Sequence, residues 1–425
     1  MCGWRYCGPN DDAARWRDPV KVAKSQIEDP FDCLVPTTFS MEGAQDGTLG
    51  GLSFVAKDLF SIQGHTSSFG HPRWRSTHSP SESTARVVRD LLDAGAKMTG
   101  LAKMDQLAYS LIGDVGEGRP PLNSTDPSLY CGGSSSGSAS AVAGGLADFA
   151  LGTDTAGSIR VPAAVCGILG LRPTLGVVSP DGVIPLAPSF DVPGVLARDA
   201  NVLSRVFAAV IDTPPEMPEV RRVLMAEDLF GDADVATGQT GAQVGAAIAA
   251  LMSLSIETID FRTLSDSDPG AVFARVQGRE IWDLHGEWVE KNSQFLDDDV
   301  CTRLKQCKLL SLDSESNRLA DLEIVKEYRR RFIDVIEPGT VVVTPVVPRH
   351  GPQRSWGRQE MSEFRSGCFR LTAPAGLAGA PQATWSTTTG NGRRLGVGLL
   401  TAPGGDHLLL SLLERLSGWS AEIGN

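Results

Sequence analysis

Two glycine- and serine-rich stretches stand a short distance apart, and each runs straight into residues that build a helix. The first is Gly132-Gly133-Ser134-Ser135-Ser136-Gly137-Ser138. The second is Gly152-Thr153-Asp154-Thr155-Ala156-Gly157-Ser158-Ile159-Arg160. A solvated linker of this composition would behave as a flexible coil. Here the first stretch is followed at once by Ser138–Leu146, a run of Ala, Ser, Gly and Val. A helix of such small residues packs very closely against its neighbours, as a buried central element must.

Around these stretches the pattern predicts strands alternating with helices. Residues 1–50 read as irregular and polar, and Leu52–Lys57 as a buried strand. Ser83–Ala94 reads as a helix with Val88, Leu91 and Leu92 on one face, capped by Ser83 and stopped by Gly95. Lys97–Leu101 reads as the next strand, Met104–Ile112 as a second helix, and Gly113–Tyr130 as a turn-rich loop. A short strand at Phe149–Leu151 enters the second stretch, and Ile159–Val165 opens a helix whose first turn tolerates Pro162. Asp199 caps a helix through Val210. Further strands are predicted at Arg222–Met225, Thr340–Thr344 and Leu395–Leu400. Further helices are predicted at Gly241–Met252, Ala271–Phe295, Ser314–Ile336 and Asp406–Leu416. This alternation implies an α/β fold with helical layers around a mostly buried sheet. The run Thr213-Pro214-Pro215-Glu216-Met217-Pro218 is the best candidate boundary, but strand and helix patterns continue across it. One domain over 1–425 is expected, with core motifs at about 50–200, an insert at about 213–340 and the rest of the core at 341–425.

Composition narrows the function classes. The 425 residues are 41% apolar and 21% charged, with 46 glycines and 26 prolines, which suits a loop-rich α/β protein rather than a helical bundle. A net charge of −12 lacks the basic face of a nucleic-acid binder and disfavours an anionic membrane surface. No apolar run approaches the ~18 residues of a membrane span. The N-terminus has no apolar core of a secretory signal and reads as a surface lead-in. None of the eight cysteines forms a CxxC pair, so no zinc site is expected. In a chain this long they read as reduced, mostly buried thiols of a cytoplasmic protein.

In the second stretch, Gly152 and Gly157 open backbone geometry that a β-carbon forbids. A turn entering a helix exposes consecutive N–H groups, here those of Thr155, Ala156, Gly157 and Ser158. Such groups can cradle an oxyanion at the positive end of the helix. The Ser158 hydroxyl then sits where it can attack a carbonyl held in that cradle. Read alone, the stretch is equally a phosphate-binding turn or a plain tight turn.

A serine hydroxyl is a poor nucleophile at neutral pH and needs a base. None of His65, His71, His78, His285, His350 and His407 lies in a nucleophile-elbow context, and no GxSxG occurs. Lysine is the remaining candidate. It is a cation in water, with a reference pKa of about 10.4, and becomes neutral and basic when desolvated. Lys57 ends an apolar run, as a buried amine would; on position alone it is also an ordinary strand-end lysine beside Asp58. Ser134 stands among glycines and serines, where an unusual peptide geometry, including a cis non-proline bond, is available.

These three segments, in this order and spacing, resemble the amidase signature family, whose members hydrolyse amides through a Ser-cisSer-Lys triad. In that family the lysine lies in a KD segment. The first serine of a GGSS stretch forms the cis peptide, and the nucleophile follows in GTDxGGS. This chain has Lys57, Ser134 and Ser158 in those places, and its run from Ser158 to Thr174 resembles the family's continuation. The resemblance is strong over about 50–200, fades over 213–335, and returns at Val342–Pro348, Leu371–Gln382 and the C-terminal helix. It implies an amidase-signature fold, a large central mixed β-sheet flanked by helices on both faces. It implies Lys57 as terminal base, Ser134 as proton shuttle and Ser158 as the nucleophile that forms an acyl-enzyme. The backbone of Thr155, Ala156, Gly157 and Ser158 would form the oxyanion hole, with Ser135, Asp154 and Arg160 holding the network. Two positions depart from the family: Ala156 replaces a usual glycine, and Cys131 replaces a frequent proline. A methyl group at 156 narrows the site without removing a donor, and Cys131 is not read as a nucleophile.

The segments GLSFVAKDLF, FGHPRWRSTHS and GGSSSGSASAVA are most similar to the short indole-3-acetamide hydrolase-like amidases. The implied partner is a small-molecule amide, with no cofactor, metal, nucleic acid or membrane, and homodimers are common in the family. Three other readings stay open. They are a hydrolase of urea-derived substrates of the allophanate or biuret type, the glutaminase A subunit of a tRNA-dependent amidotransferase, and a catalytically silent binding or assembly protein. Leu111, Ile112, Val183, Ile184, Phe190 and Trp356 are candidate pocket walls that read more simply as core.

Overall fold

The computed structural model describes residues 23–24, 28–36, 39–211, 219–388 and 394–423. The candidate boundary at 213–218, the N-terminal lead-in, Cys2 and Cys7 lie outside the described residues.

A short ribbon of β1 (Ala23–Lys24) and β2 (Phe39–Ser40) precedes the main sheet. The sheet itself contains β3 (Ser53–Lys57), β4 (Lys97–Ala102), β5 (Phe149–Asp154), β6 (Leu169–Arg172), β7 (Val192–Ala197), β8 (Arg222–Ala226), β9 (Ile256–Ile259), β10 (Thr340–Pro345), β11 (Gln382–Thr388) and β12 (Arg394–Leu400). Their spatial order is β4-β3-β5-β7-β6-β11-β12-β10-β8-β9. The two ends of the sheet, β4-β3-β5 and β10-β8-β9, are parallel, and the pairings between β5 and β10 are antiparallel. The sheet is therefore mixed, as the family resemblance implies. Strands β8 and β9 fall inside the 213–340 stretch and extend the sheet beyond β10.

Side chains on a strand alternate between its two faces, and the core clusters follow that period of two. Phe54, Ala56, Phe149, Leu151, Val195 and Ala197 join one cluster, whereas Val55, Ala150 and Leu196 join another. The first face is covered by α2 (Arg86–Asp93), α5 (Ala200–Val210), α7 (Val235–Met252) and α12 (Asp406–Ile423). The second is covered by α3 (Ser136–Gly144) and α4 (Arg160–Cys166). Towards β10, α8 (Pro269–Asn292), α10 (Glu315–Val335) and α11 (Arg358–Ala378) pack over Leu224, Val342 and Leu400. Helices α1 (Pro72–Thr77), α6 (Glu227–Gly231) and α9 (Asp298–Ser311) complete the set among the described residues. A strand covered on both faces has no solvent side to mark with polar residues. All six residues of β5 are accordingly buried.

The small residues of α3 are explained by its position. Ser136 to Val142 are all buried, and a β-carbon on Gly137 would collide with the backbone of Cys33 and Lys103. Only glycine lets α3 approach β4 this closely. The Asp199 carboxylate caps α5 by accepting from the Val202 N–H at 3.0 Å, as expected. Gly95, at φ +94°, stops α2.

Two local expectations fail for identifiable reasons. Met104–Ile112 forms no α-helix, only a turn at Gln106–Ala108 with Leu107 and Ala108 at positive φ. Its backbone N–H groups are taken by distant partners: Asp105 donates to Ser134, Gln106 to Val115 and Leu107 to Phe69. Ser83 caps nothing, because α2 begins at Arg86 after Ala85. Strands β1, β2, β6, β7, β9 and β11 and helices α1, α6, α9 and α11 have no counterpart in the expected elements, β1 and β2 falling in the stretch expected to be irregular.

Candidate active site

Strands β3 and β5 run parallel, so their carboxyl ends meet at one edge of the sheet, where α3 begins. Lys57 is the last residue of β3, and Thr153 and Asp154 are the last of β5. Lys57 is fully buried, and its Nζ donates to Ser134 Oγ at 2.8 Å and to Thr153 Oγ1 at 3.0 Å. Burial pushes the Lys57 ammonium down to about 7; Asp105, Asp154 and Asp191 act through space in the opposite direction and only partly offset it. An amine with that value exchanges a proton near neutral pH. Asp58, its chain neighbour, accepts from the Ser68 N–H at 2.8 Å and faces His65 and Arg75 at 3.4 and 3.5 Å. The simple picture of a strand-end lysine paired with Asp58 is therefore excluded by where Asp58 points.

Ser134 is also fully buried, and the Gly133–Ser134 peptide is cis. The Ser134 carbonyl accepts from the Asp105 N–H at 3.2 Å. The Asp105 carboxylate accepts from the Gly113 N–H at 3.1 Å, and burial pushes this carboxyl up to about 7. Ser135 joins the two stretches. Its N–H donates to the Ser158 carbonyl and its hydroxyl to the Thr153 carbonyl, both at 3.4 Å.

Asp154 organises the turn that follows β5. Its Oδ1 accepts from the Gly157 N–H at 2.9 Å, and its Oδ2 accepts from the N–H groups of Ile159 at 3.1 Å and Arg160 at 3.3 Å. The Arg160 side chain forks onto both oxygens at 2.9 and 2.7 Å. Arg172 reaches Oδ1 at 3.2 Å. Burial alone would raise the Asp154 carboxyl, but Arg160 and then Arg172 outweigh it and hold the group well below the usual carboxylate range. Arg160 is anchored in turn to the Thr372 carbonyl, at 2.8 Å, and to Gln382.

The backbone cradle differs in one respect from the expected set. The Gly157 N–H is committed to Asp154, whereas the N–H groups of Thr155, Ala156 and Ser158 donate to no protein acceptor among the described residues. Gly157 has φ +120°, and a β-carbon there would sit 3.0 Å from Thr372 Oγ1 and 3.1 Å from Val161 Cγ2. Thr372 Oγ1 also donates to the Ala156 carbonyl at 2.7 Å, which fixes the peptide before Gly157.

Ser158 opens onto a cavity of about 330 Å³ that Thr155, Ala156, Leu111, Phe369 and Arg303 also line. A second cavity of about 440 Å³ is lined by Thr153, Asp191, Val183 and Ile184, and shares Ala108, Thr155 and Leu186 with the first. Leu111, Val183 and Ile184 therefore do wall cavities. Ile112 and Phe190 are core, with Phe190 stacked on Phe273 at 4.0 Å, whereas Trp356, packed on Phe364, lines a separate cavity that does not include Ser158. Cys131 is buried, with its thiol on the Pro121 carbonyl at 3.5 Å. Thr153 and Asp105 escaped the sequence reading although both lie in motifs it quoted or crossed. Arg172, Thr372 and Gln382 lie in segments that carry the family resemblance, but their part in the site, like that of Asp191, comes only through the fold. Among the described residues no three His, Cys, Asp or Glu side chains gather as a metal-holding group, and no helix is long and apolar enough to cross a membrane.

Comparison with known proteins agrees with the architecture. The Amidase family model matches residues 37–261. Amidase 1 of Oryza sativa subsp. japonica is 34% identical, over 88% of this chain and 91% of the relative. Translocon at the outer membrane of chloroplasts 64 of Pisum sativum is 32% identical over 87% of this chain, which spans 66% of that protein. A crystal structure of an amidase superposes with a TM-score of 0.77 at 26% identity, over 88% of this chain and 85% of the other.

Proposed function

This chain belongs to the amidase family of amide-hydrolysing enzymes, and on that premise we propose that Ser158, Ser134 and Lys57 cleave the C–N bond of a small-molecule amide. The observation that carries the reading is the 2.8 Å contact between Lys57 Nζ and Ser134 Oγ, made where burial brings the amine to about 7.

In the proposed cycle Ser158 Oγ attacks the amide carbon. Its proton passes to Ser134 Oγ, whose own proton passes to neutral Lys57. The oxyanion is received by the N–H groups of Thr155, Ala156 and Ser158, which have no competing acceptor among the described residues. Collapse breaks the C–N bond, and the leaving nitrogen takes a proton back through Ser134 from the Lys57 ammonium. Water then attacks the acyl-enzyme along the same relay and releases the carboxylic acid and free Ser158. Asp154, Arg160 and Ser135 act by holding the turn and the two stretches in register.

The reading carries a cytoplasmic setting, in keeping with the six free cysteines among the described residues, and a homodimer, as the family resemblance suggests. It is tested by ammonia release from the purified chain against aryl-acetamides, short aliphatic amides, glutamine, biuret and allophanate, beside Ser158→Ala. Release abolished in the variant supports the reading. Release that survives in it sinks the nucleophile assignment. A preference for allophanate or biuret moves the enzyme to the urea-derived branch, and for glutamine towards an amidotransferase subunit. A folded wild-type chain inert on every substrate shifts weight to a missing partner subunit or a narrow substrate outside the panel.

A further inference from the structure

The cavity at Ser158 carries charge of one sign. Arg303, Arg365 and Arg370 line it, and no aspartate or glutamate does among the described residues. Arg370 is engaged by Asp232 at 3.5 Å. The other two have no carboxylate partner within 4.0 Å among the described residues. Arg303 donates to the Tyr109 carbonyl at 2.7 Å and stands over the Tyr109 ring at 5.4 Å, and its buried Nε has no partner. Among the described residues Arg365 reaches only Ser362 Oγ, at 3.3 Å. Asp114 acts through space on both Arg303 and Arg365, and Asp299 on Arg365, but neither carboxylate lines the cavity. Burial, and next the charge of Arg303, hold the Arg365 guanidinium below its ordinary value. Two half-buried guanidiniums that repel each other across the wall of a cavity are stabilised when an anion comes between them.

Resting on the hydrolase reading above, we propose that the substrate is an amide whose far end carries a carboxylate, a monoamide of a short dicarboxylic acid, with Arg303 and Arg365 holding the carboxylate while the amide lies at Ser158. Planar guanidiniums match a carboxylate through paired N–H donors. The second cavity, apolar apart from Thr153, Thr155 and Asp191, offers no such cation.

The test compares succinamate with butyramide, a neutral amide of similar length, and reads kcat/KM by ammonia release. Charged hydrogen bonds of this kind give a preference for succinamate of about 10- to 100-fold. Arg365→Gln lowers that ratio by about 10-fold, chiefly through KM, and Arg365→Lys restores part of it. A readout without turnover is the labelling of Ser158 by a neutral alkyl fluorophosphonate. Succinate slows labelling in the wild type and does so only at higher concentration in Arg365→Gln. A wild-type ratio near one, a ratio unchanged in Arg365→Gln, or no protection by succinate overturns the proposal. A Ser158 that takes no label overturns the hydrolase reading, and this proposal with it.

Discussion

Lys57 Nζ and Ser134 Oγ stand 2.8 Å apart across 77 residues of sequence, and neither side chain reaches solvent. Neither residue brings the other into place by itself. The parallel pairing of β3 with β5 sets Lys57 at the sheet edge, and the close seating of α3 brings Ser134 to it. Desolvation then turns an ordinary cation into a group that exchanges protons near neutrality.

Replacing Ser158 by alanine removes the proposed nucleophile and no hydrogen bond that the fold depends on. The expected loss in kcat is about 10⁴-fold or more, with the melting temperature essentially unchanged. Ammonia release and a thermal melt on the same preparation check both halves. A large fall in melting temperature would assign Ser158 a structural role instead.

The pH profile follows from Lys57. It accepts a proton only when neutral, so kcat/KM rises with pH through about 7 and levels above it. Asp105, whose own carboxyl is held at about 7, acts on Lys57 in the raising direction when ionised, so the wild-type limb belongs to the pair, and removing that charge lowers the amine further. In Asp105→Asn the rising limb therefore moves to lower pH. A limb that stays put, or moves upward, would show that Asp105 does not tune the base.

Asp154 is buried among Arg160 and Arg172, and Asp154→Ala leaves two buried guanidiniums without their anion. Breaking a buried pair in this way costs about 3–5 kcal/mol, to be read by urea unfolding. Because the folded state holds the Asp154 carboxyl below its ordinary 3.8, its contribution is complete above that pH and declines as pH falls below it. The gap between wild type and variant should be constant from neutral pH down to about 5 and narrow in acid. A gap insensitive to acid would mean that the charge of Asp154 is not what stabilises the turn.

Gly157→Ala places a β-carbon at φ +120°, 3.0 Å from Thr372 Oγ1. The strained backbone is expected to cost about 1–3 kcal/mol. Relief by rotating the peptide would swing the Ser158 N–H out of the cradle, so kcat falls more than KM rises. Steady-state kinetics with thermal melts separate the two effects. Wild-type kcat in a stable variant would remove the cradle from the mechanism.

Much of the site was legible because its parts are local. The stretches around Lys57, Ser134 and Ser158 are short, and their glycines, serines and small-residue helix announce tight turns against a packed layer. The strands β3, β4, β5, β10 and β12 were legible for the same reason, as apolar runs of the right length. The Met104–Ile112 segment was misread because its apolar spacing fits a helix in isolation, while Ser134, Val115 and Phe69 take its hydrogen bonds in the fold. Helix α11 was hidden by Pro374 within it, a residue that marks a break unless packing overrides it.

The sequence by itself determined the chemistry on offer: a lysine closing an apolar run, two serines in glycine-rich turns, and an order and spacing that name a family. Only the tertiary structure decided that the Gly157 N–H belongs to Asp154, that Thr153 holds Lys57, that Thr372 and Gln382 anchor Arg160, and that Arg303 and Arg365 line the same cavity as Ser158. Apart from the Gly157–Asp154 bond, which spans three residues of one turn, those relations join elements far apart in the chain. They are set by sheet order and helix seating, which minimise exposed apolar area over the whole molecule and leave no trace in any short window of sequence.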